Sequence, residues 1–457
     1  MDQPSALKAA GKPDPSDTPN KPMQDLPITP LLPELRHALA DAGQAILVAP
    51  PGSGKTTLAP LALLDEPWLQ GRKIIMLEPR RLATRAAARR MAALLSERCG
   101  ERVGYQVRFE REVSPQTRIE VVTEGILTRR LQSDPELKDV GLVIFDEFHE
   151  RSLQADLSLA LTLDVRAGLR EDLRLLVMSA TLDTQALAGH LPGAPVIVGE
   201  GRSHPVSLHY LERPPQGGVV ETALKGVQRA LAETSGDLLL FLPGSGEIRR
   251  AAERLKQTLP ESVAVLPLYG DLKRSEQDRA LMPQSGRRRV VLATSIAETS
   301  LTIEGIGTVV DSGWSRRPCF DPNSGLSRLR TVRVSRAAAE QRAGRAGRLG
   351  PGHCYRLWSA AEDGRLATAH PPELLEADLA PLVLELASWG VAEPDQLHWL
   401  DPPPRGAYAQ ARELLQRLDA LDEQGRITAT GREMVRIALH PRLAYMLLHA
   451  GHRQGLA

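Results

Sequence analysis

The sequence predicts an α/β protein: two tandem lobes, each a parallel sheet covered by helices, followed by a smaller helical module. Three observations lead there. From about residue 25, short apolar runs alternate with amphipathic stretches. A proline-marked stretch over 202–215 interrupts that alternation once, after which it restarts. Beyond about residue 362 only helical periodicity remains.

Taken in order, residues 1–24 are rich in Pro, Lys, Asp and Ser and are expected to form a disordered tail, because they bury too little apolar surface to offset ordering entropy. The first lobe, 25–203, has strand candidates at 45–49, 73–77, 119–122, 142–145 and 173–178. Helices are expected at 55–64 and 80–95, and the Leu-rich 157–163 reads as a core helix face. In the second lobe, 204–361, strands are expected at 237–242, 263–268, 289–293, 308–311 and 355–358. The run Arg287-Arg288-Arg289 reads as a solvated lead-in to one of them. The third module, 362–440, has amphipathic helices at 376–389 and 407–418, a small hairpin at 421–428 with a Gln-Gly turn, and a further helix at 432–440. That pattern is winged-helix-like. The apolar stretch 443–449 has no evident packing partner, so 441–457 is expected to start a further helical, ratchet-like domain that is cut short.

Composition sets the limits. The 457 residues suffice for about three domains. An aromatic share of 4% argues against a binding surface built on base-stacking platforms, and a net charge of +1 means any nucleic-acid contact must come from local clusters of Arg and Lys. The three cysteines, Cys99, Cys319 and Cys354, form no CxxC pair, which argues against a zinc site or disulfide framework and for a reducing compartment. No segment has the run of apolar residues that a membrane span needs. A cytoplasmic, monomeric protein is expected. His204, His209 and His353 lack metal-like spacing and read as structural.

The chemistry begins at Ala49-Pro50-Pro51-Gly52-Ser53-Gly54-Lys55-Thr56-Thr57, which leaves a strand and opens a helix. In that context the loop is a phosphate cradle. Gly52 and Gly54, with Ser53 between them, let backbone N–H groups approach the phosphates; Lys55 meets the β and γ oxygens, and Thr56, next to Thr57, binds Mg²⁺. The second half is Asp146-Glu147, directly after the apolar strand at 142–145. Strand ends in such a sheet deliver side chains to the ligand crevice. Asp146 is placed to hold Mg²⁺, and Glu147 beside it, a further candidate ligand of the ion, to orient and deprotonate the attacking water.

With these two sites in place, the chain from about residue 26 to 455 resembles the DEAH-box branch of superfamily-two helicases, its bacterial HrpB-type members most closely. The resemblance rests on further motifs in the family's order: Glu78-Pro79-Arg80-Arg81, Thr123-Glu124-Gly125, Asp146-Glu147-Phe148-His149-Glu150-Arg151 and Ser179-Ala180-Thr181, then Ala293-Thr294-Ser295-Ile296-Ala297-Glu298-Thr299-Ser300 and Gln341-Arg342-Ala343-Gly344-Arg345-Ala346-Gly347-Arg348. It implies two RecA-like lobes and an ATP- and Mg²⁺-dependent enzyme moving 3′→5′ on single-stranded nucleic acid, RNA in particular. It further implies that Gln341, Arg345 and Arg348 reach the γ-phosphate from the second lobe, that Ser179 and Thr181 couple hydrolysis to lobe movement through His149, and that Ser300, Thr302 and Glu304 sense the nucleotide. Phe148 stands where the eponymous motif has Ala. The base would stack on Arg90, but the aromatic on its other side is replaced by Leu281, so low discrimination among nucleoside triphosphates is expected.

The same resemblance places Arg80, Arg81, Thr123 and Thr294 on the nucleic-acid track, where such enzymes grip phosphates and sugars. From the residues themselves, 326–334 alternates with strand period. Arg328, Arg330 and Arg333 are therefore expected on a hairpin that touches or separates strands. Three alternatives stay open: an ATP-switched RNA clamp or remodeller that does not separate strands, a P-loop ATPase with no nucleic-acid role, and a DNA helicase of the same fold.

Overall fold

The computed structural model describes residues 26–181, 185–201, 204–284, 286–298, 303–321, 324–437 and 439–453. The tail 1–24 lies outside the described residues. The first lobe is built on an eight-stranded sheet. Its strands are β1 (Gln44–Val48), β2 (Lys73–Glu78), β3 (Val103–Val107), β4 (Glu110–Glu112), β5 (Ile119–Thr123), β6 (Val140–Phe145), β7 (Arg174–Ser179) and β8 (Val196–Val198). They lie in the order β4-β3-β5-β2-β6-β7-β1-β8, parallel throughout except for the β3–β4 pair.

Successive side chains point to opposite faces. Ala45, Leu47, Ile74, Met76, Leu142 and Ile144 enter one apolar layer, while Ile46, Val48, Ile75, Leu77, Val143 and Phe145 enter the other. Burial on both faces is why these strands read as unbroken apolar runs. Only β7 separates β1 from β6. The loops that follow those two strands therefore open side by side at one edge of the sheet.

The second lobe contains β9 (Val206–Leu211), β10 (Asp237–Phe241), β11 (Val263–Leu268), β12 (Arg288–Ala293) and β13 (Ile306–Asp311). The chain then leaves the sheet as an antiparallel hairpin, β14 (Trp314–Asp321) and β15 (Leu326–Arg333), before β16 (Gly352–Ser359) returns to it. The resulting parallel sheet runs β11-β12-β10-β13-β16-β9. β9 falls within the stretch read as a boundary; it is an edge strand, and its Ser207 and Leu208 are exposed. Of the run 287–289, only Arg287 is solvated. Arg289 is fully buried, with Nε 2.6 Å from Asp237 Oδ2 and Nη1 donating to the Met282 carbonyl at 2.5 Å. A guanidinium is kept inside when its hydrogen bonds are satisfied, and this one ties the starts of β10 and β12 together.

Beyond β16 come the helices Ala380–Trp389, Arg405–Arg417, Ala429–Ile437 and Pro441–Arg453. An antiparallel bridge between Leu421 and Ile427 marks the wing. Among the described residues this third module has no separate core. Leu382, Leu386, Leu415 and Met434 share one apolar cluster with Val143, Phe145, Leu157 and Leu161 of the first lobe. Ala444, in the stretch read as lacking a partner, is buried in that cluster too. Polar contacts reinforce the union: Trp389 Nε1 donates to Asp164 at 2.8 Å, and Gln132 bonds Glu385. The second lobe keeps clusters of its own, one of which takes in Leu82 from the first. No helix among the described residues is long and apolar enough to cross a membrane.

Candidate active site between the lobes

The loop after β1 supplies the first half of the site. Gly52 and Gly54 adopt φ of 86° and 95°, and a Cβ on Gly54 would stand 2.9 Å from Leu26 Cδ1. Both constraints call for glycine. The helix Lys55–Ala62 starts at once, and the Thr57 and Leu58 N–H groups bond the Gly54 carbonyl at 3.1 and 2.8 Å, which leaves the N–H groups of Lys55 and Thr56 outside the helix's own ladder. Lys55 and Ser53 are buried, and Thr57 turns its hydroxyl back to the Gly54 carbonyl at 3.3 Å.

The loop after β6 supplies the second half. Lys55 Nζ lies 2.6 Å from Glu147 Oε1 and 3.9 Å from Asp146 Oδ1. Thr56 Oγ1 donates to Asp146 Oδ2 at 2.5 Å, and the Glu147 N–H donates to Asp146 Oδ1 at 2.8 Å. Glu147 has φ of 51°, a strained backbone for a non-glycine residue, of the kind that persists where its surroundings over-determine it. Burial pushes its carboxyl up, but Lys55, His149 and Arg345 outweigh that and hold it at about 2. These cations thus hold Glu147 as a carboxylate, an acceptor. Glu78, at the end of β2, is fully buried beside Asp146; burial and the neighbouring carboxylates push it well above the usual range. Sequence reasoning named it only as a motif member.

Ser53 Oγ and Glu147 Oε2 are buried and have no hydrogen-bond partner among the described residues. The Thr56 hydroxyl and Asp146 carboxylate are hard oxygen donors of the type Mg²⁺ prefers. The residues present therefore fit a triphosphate with Mg²⁺, the ion falling to Thr56 and Asp146.

The second lobe closes the site from the other side. Ser335 caps the helix Arg336–Gly344 by accepting from the Ala338 N–H at 3.2 Å. That helix carries the half-buried Gln341 and leads into Arg345 and Arg348. Arg348 Nε lies 3.9 Å from the position of a Cβ built on Gly52, so it abuts the phosphate loop. Arg345 is buried, and its Nε donates to the Glu298 carbonyl at 2.8 Å. Burial and the adjacent Arg348 push the Arg345 guanidinium well below its ordinary range; burial brings Arg348 down to about 10, against the attraction of Glu147. The buried Arg345 and half-buried Arg348, both drawn to the one Glu147 carboxylate, form an electropositive recess that an incoming anion stabilises. Arg342, which sequence reasoning passed over, is buried between Glu298 at 2.5 Å and Asp311 at 2.7 Å and anchors the helix to the sheet. The signal for it was its place in the Gln341–Arg348 motif.

The end of β7 touches both halves of the first-lobe site. The Ala49 N–H donates to the Ser179 carbonyl at 3.0 Å, the Ala180 N–H donates to His149 Nδ1 at 3.2 Å, and Ser179 Oγ lies 3.4 Å from Thr181 Oγ1. His149 Nε2 in turn stands 3.4 Å from Glu147 Oε2.

The remaining candidates are more dispersed. Arg80 is engaged within the protein: Nη2 meets Glu150 at 3.0 Å, and Nη1 bonds the carbonyl of Ser295 in the second lobe. Arg81 is exposed, Thr123 is half-buried at the start of the helix Glu124–Ser133, and Thr294 Oγ1 accepts from the Ile296 N–H at 3.5 Å. On β15, Arg328 and Arg330 are exposed. Arg333 instead lies over Trp314 at 5.0 Å and Trp358 at 5.6 Å, and fastens the hairpin to the lobe. Arg90 is exposed and Leu281 half-buried. Glu304 is exposed, and its carbonyl accepts from the buried Arg289. Ser300 and Thr302 lie outside the described residues. His209 and His353 pair with each other at 3.2 Å, and no metal-holding cluster occurs among the described residues.

Three stretches of the chain match known families: residues 29–188 the DEAD/DEAH box helicase family, 222–350 the helicase conserved C-terminal domain, and 411–439 the winged-helix helicase associated domain (HA2). The chain is 52% identical to the ATP-dependent RNA helicase HrpB of Escherichia coli strain K12 over 429 residues, covering 94% of this chain and 53% of that protein. Crystal structures described as the E. coli DEAH/RHA helicase HrpB and the E. coli DExH-box NTPase HrpB superpose with TM-scores of 0.88 and 0.83. Each is 52% identical; the first match covers 92% of this chain and 54% of the other, the second 93% and 53%. The chain thus spans about half the length of the relatives it matches.

Proposed function

We propose, for a chain that belongs to the DEAD/DEAH box helicases and is of their HrpB type, that it hydrolyses ATP in the cleft between its two RecA-like lobes and uses the cycle to move 3′→5′ along single-stranded RNA. One observation carries the reading. Lys55, Asp146 and Glu147 on one lobe and Arg345 and Arg348 on the other converge on a single recess, with Arg348 Nε 3.9 Å from the Cβ position of Gly52. Such an arrangement binds a triphosphate with one lobe and completes its transition state with the other.

In this reading Lys55 exchanges its 2.6 Å bond to Glu147 for the β and γ oxygens, which leaves Glu147 to accept a proton from the attacking water. When bound at Thr56 and Asp146, Mg²⁺ neutralises charge that develops on the phosphates. Arg345 and Arg348 stabilise the transferring phosphoryl group, and Gln341 helps position it. His149, held by the backbone of Ala180, relays the change at Glu147 to the end of β7. With Leu281 where an aromatic residue would face the base opposite Arg90, base stacking is weakened, so GTP, CTP and UTP are expected to serve beside ATP. Arg81, Thr123 and Thr294, and Arg80 once it leaves its present partners, line the track; exposed Arg328 and Arg330 extend it along the hairpin.

The test is NTP hydrolysis by this chain titrated with single-stranded RNA and DNA homopolymers. RNA should raise turnover more than DNA does. Equal stimulation by DNA would remove the RNA assignment, and no stimulation by either would remove the nucleic-acid role. Strand displacement on a duplex with a 3′ overhang then separates a helicase from a clamp.

A further inference from the structure

The turn after the catalytic carboxylates is unusual in its support. It is a single 3₁₀ turn, Phe148–Glu150, flanked by two non-glycine residues in the left-handed region, Glu147 at φ 51° and Arg151 at φ 49°. Such a conformation persists only when other contacts enforce it. Around Glu147 those contacts come from the active site itself. Around Arg151 many come from the third module. The Glu373 N–H donates to the Arg151 carbonyl at 3.0 Å, and Glu373 Oε2 accepts from the Leu153 N–H at 3.0 Å. The Arg151 guanidinium spans Asp156, at 3.0 and 3.2 Å, and Asp401 of the third module, at 2.6 Å. Its other face lies 5.8 Å from the ring of Phe148, which is buried in the cluster that the first lobe shares with the third module.

We infer that Arg151, Glu373 and Asp401 form a positioning joint through which the third module holds Glu147 and His149 in register for hydrolysis. The inference rests on the reading of Glu147 as the base but assigns something that reading leaves out: part of the catalytic geometry is set by residues more than 200 positions further along the chain. The joint is also two-way. A load on the third module would pass through Asp401 and Arg151 to the turn that carries His149, and a change at Glu147 would pass outward by the same bonds. Phe148 suits this role, because its ring gives the turn an apolar anchor in the shared core.

Asp401 is 42% exposed and Glu373 lies outside the phosphate site, so Asp401→Asn and Glu373→Gln are expected to fold. Two readouts decide the matter: hydrogen exchange of the amides of residues 147–153, and kcat and KM for ATP with a saturating single-stranded RNA homopolymer. In Asp401→Asn, exchange in that segment should quicken and kcat should fall on the order of tenfold, with KM and Tm close to wild type. Asp401→Glu should restore both. Wild-type exchange and wild-type kcat in both Asn and Gln variants would overturn the joint, as would a loss of kcat that tracks Tm and is not rescued by Glu. If the wild-type chain itself hydrolyses nothing, the proposed function fails instead, and the exchange measurement still decides whether the joint exists.

Discussion

The two lobes share a sheet architecture but differ in what they are joined to. The first lobe is fused to the third module by a continuous apolar cluster running from Val143 to Ala444. The second lobe keeps three clusters of its own and, among the described residues, meets the first through contacts such as Leu82 in one of those clusters, the Arg80–Ser295 bond, Arg274 3.5 Å from Glu110, and Arg348 against Gly52. An interface of separable polar contacts can open where a shared core cannot. The difference makes the second lobe the body expected to move. It also fits the proposed division of chemistry, with the lysine and acids proposed to take the triphosphate on the fixed body and the arginines on the moving one.

The comparison can be broken or sharpened by substitution. The largest effect is expected on the fixed side, where Lys55→Ala should abolish nucleotide binding, read by equilibrium binding of a fluorescent ATP analogue. Glu147→Gln should keep that binding and lower kcat by at least about 10³-fold, since a general base is lost together with its charge. On the moving side, Arg342→Leu leaves Glu298 and the fully buried Asp311 without their cation; breaking a buried pair costs about 3–5 kcal/mol. Its unfolding should appear as an early transition of the second lobe alone in calorimetry, with the first lobe and third module melting together later.

The smallest effect concerns pH. Burial raises the Glu124 carboxyl to about 7. A carboxyl raised in the folded state favours folding while it is protonated, so its contribution is full below the unfolded value of about 4.3 and is lost as pH rises through about 7. Glu124→Gln should flatten the fall in Tm between pH 5 and pH 8, and a slope unchanged from wild type would contradict the assignment.

Much of the fold was legible because parallel strands buried on both faces announce themselves as apolar runs; β2, β6, β10, β11 and β12 are of this kind. What was missed lies mostly at edges; β3, missed as well, sits between the three-residue edge strand β4 and β5, and its run is broken by Gly104 and Gln106. β4 and β9 carry polar residues, β8 is only three residues long, and β14 contains Pro318, which only an exposed ribbon tolerates. The union of the third module with the first lobe was illegible, since periodicity says which face of a helix is apolar but not what covers it. At the site, Lys55, Thr56, Asp146 and Glu147 could be placed together because short loops fix them at the ends of β1 and β6, one strand apart. The roles of Arg342, Arg289 and Arg333 were not. An arginine in a sequence looks the same whether it faces solvent, a carboxylate or a tryptophan.

The most direct measurement is hydrolysis by Arg345→Ala under single turnover, set beside its affinity for ATP. Because Arg345 belongs to the moving lobe and is assigned to the transition state alone, affinity should stay within about twofold of wild type while the hydrolysis rate falls on the order of 10³-fold. A wild-type rate in that variant would contradict the claim that cleavage of the nucleotide depends on the two lobes meeting around it.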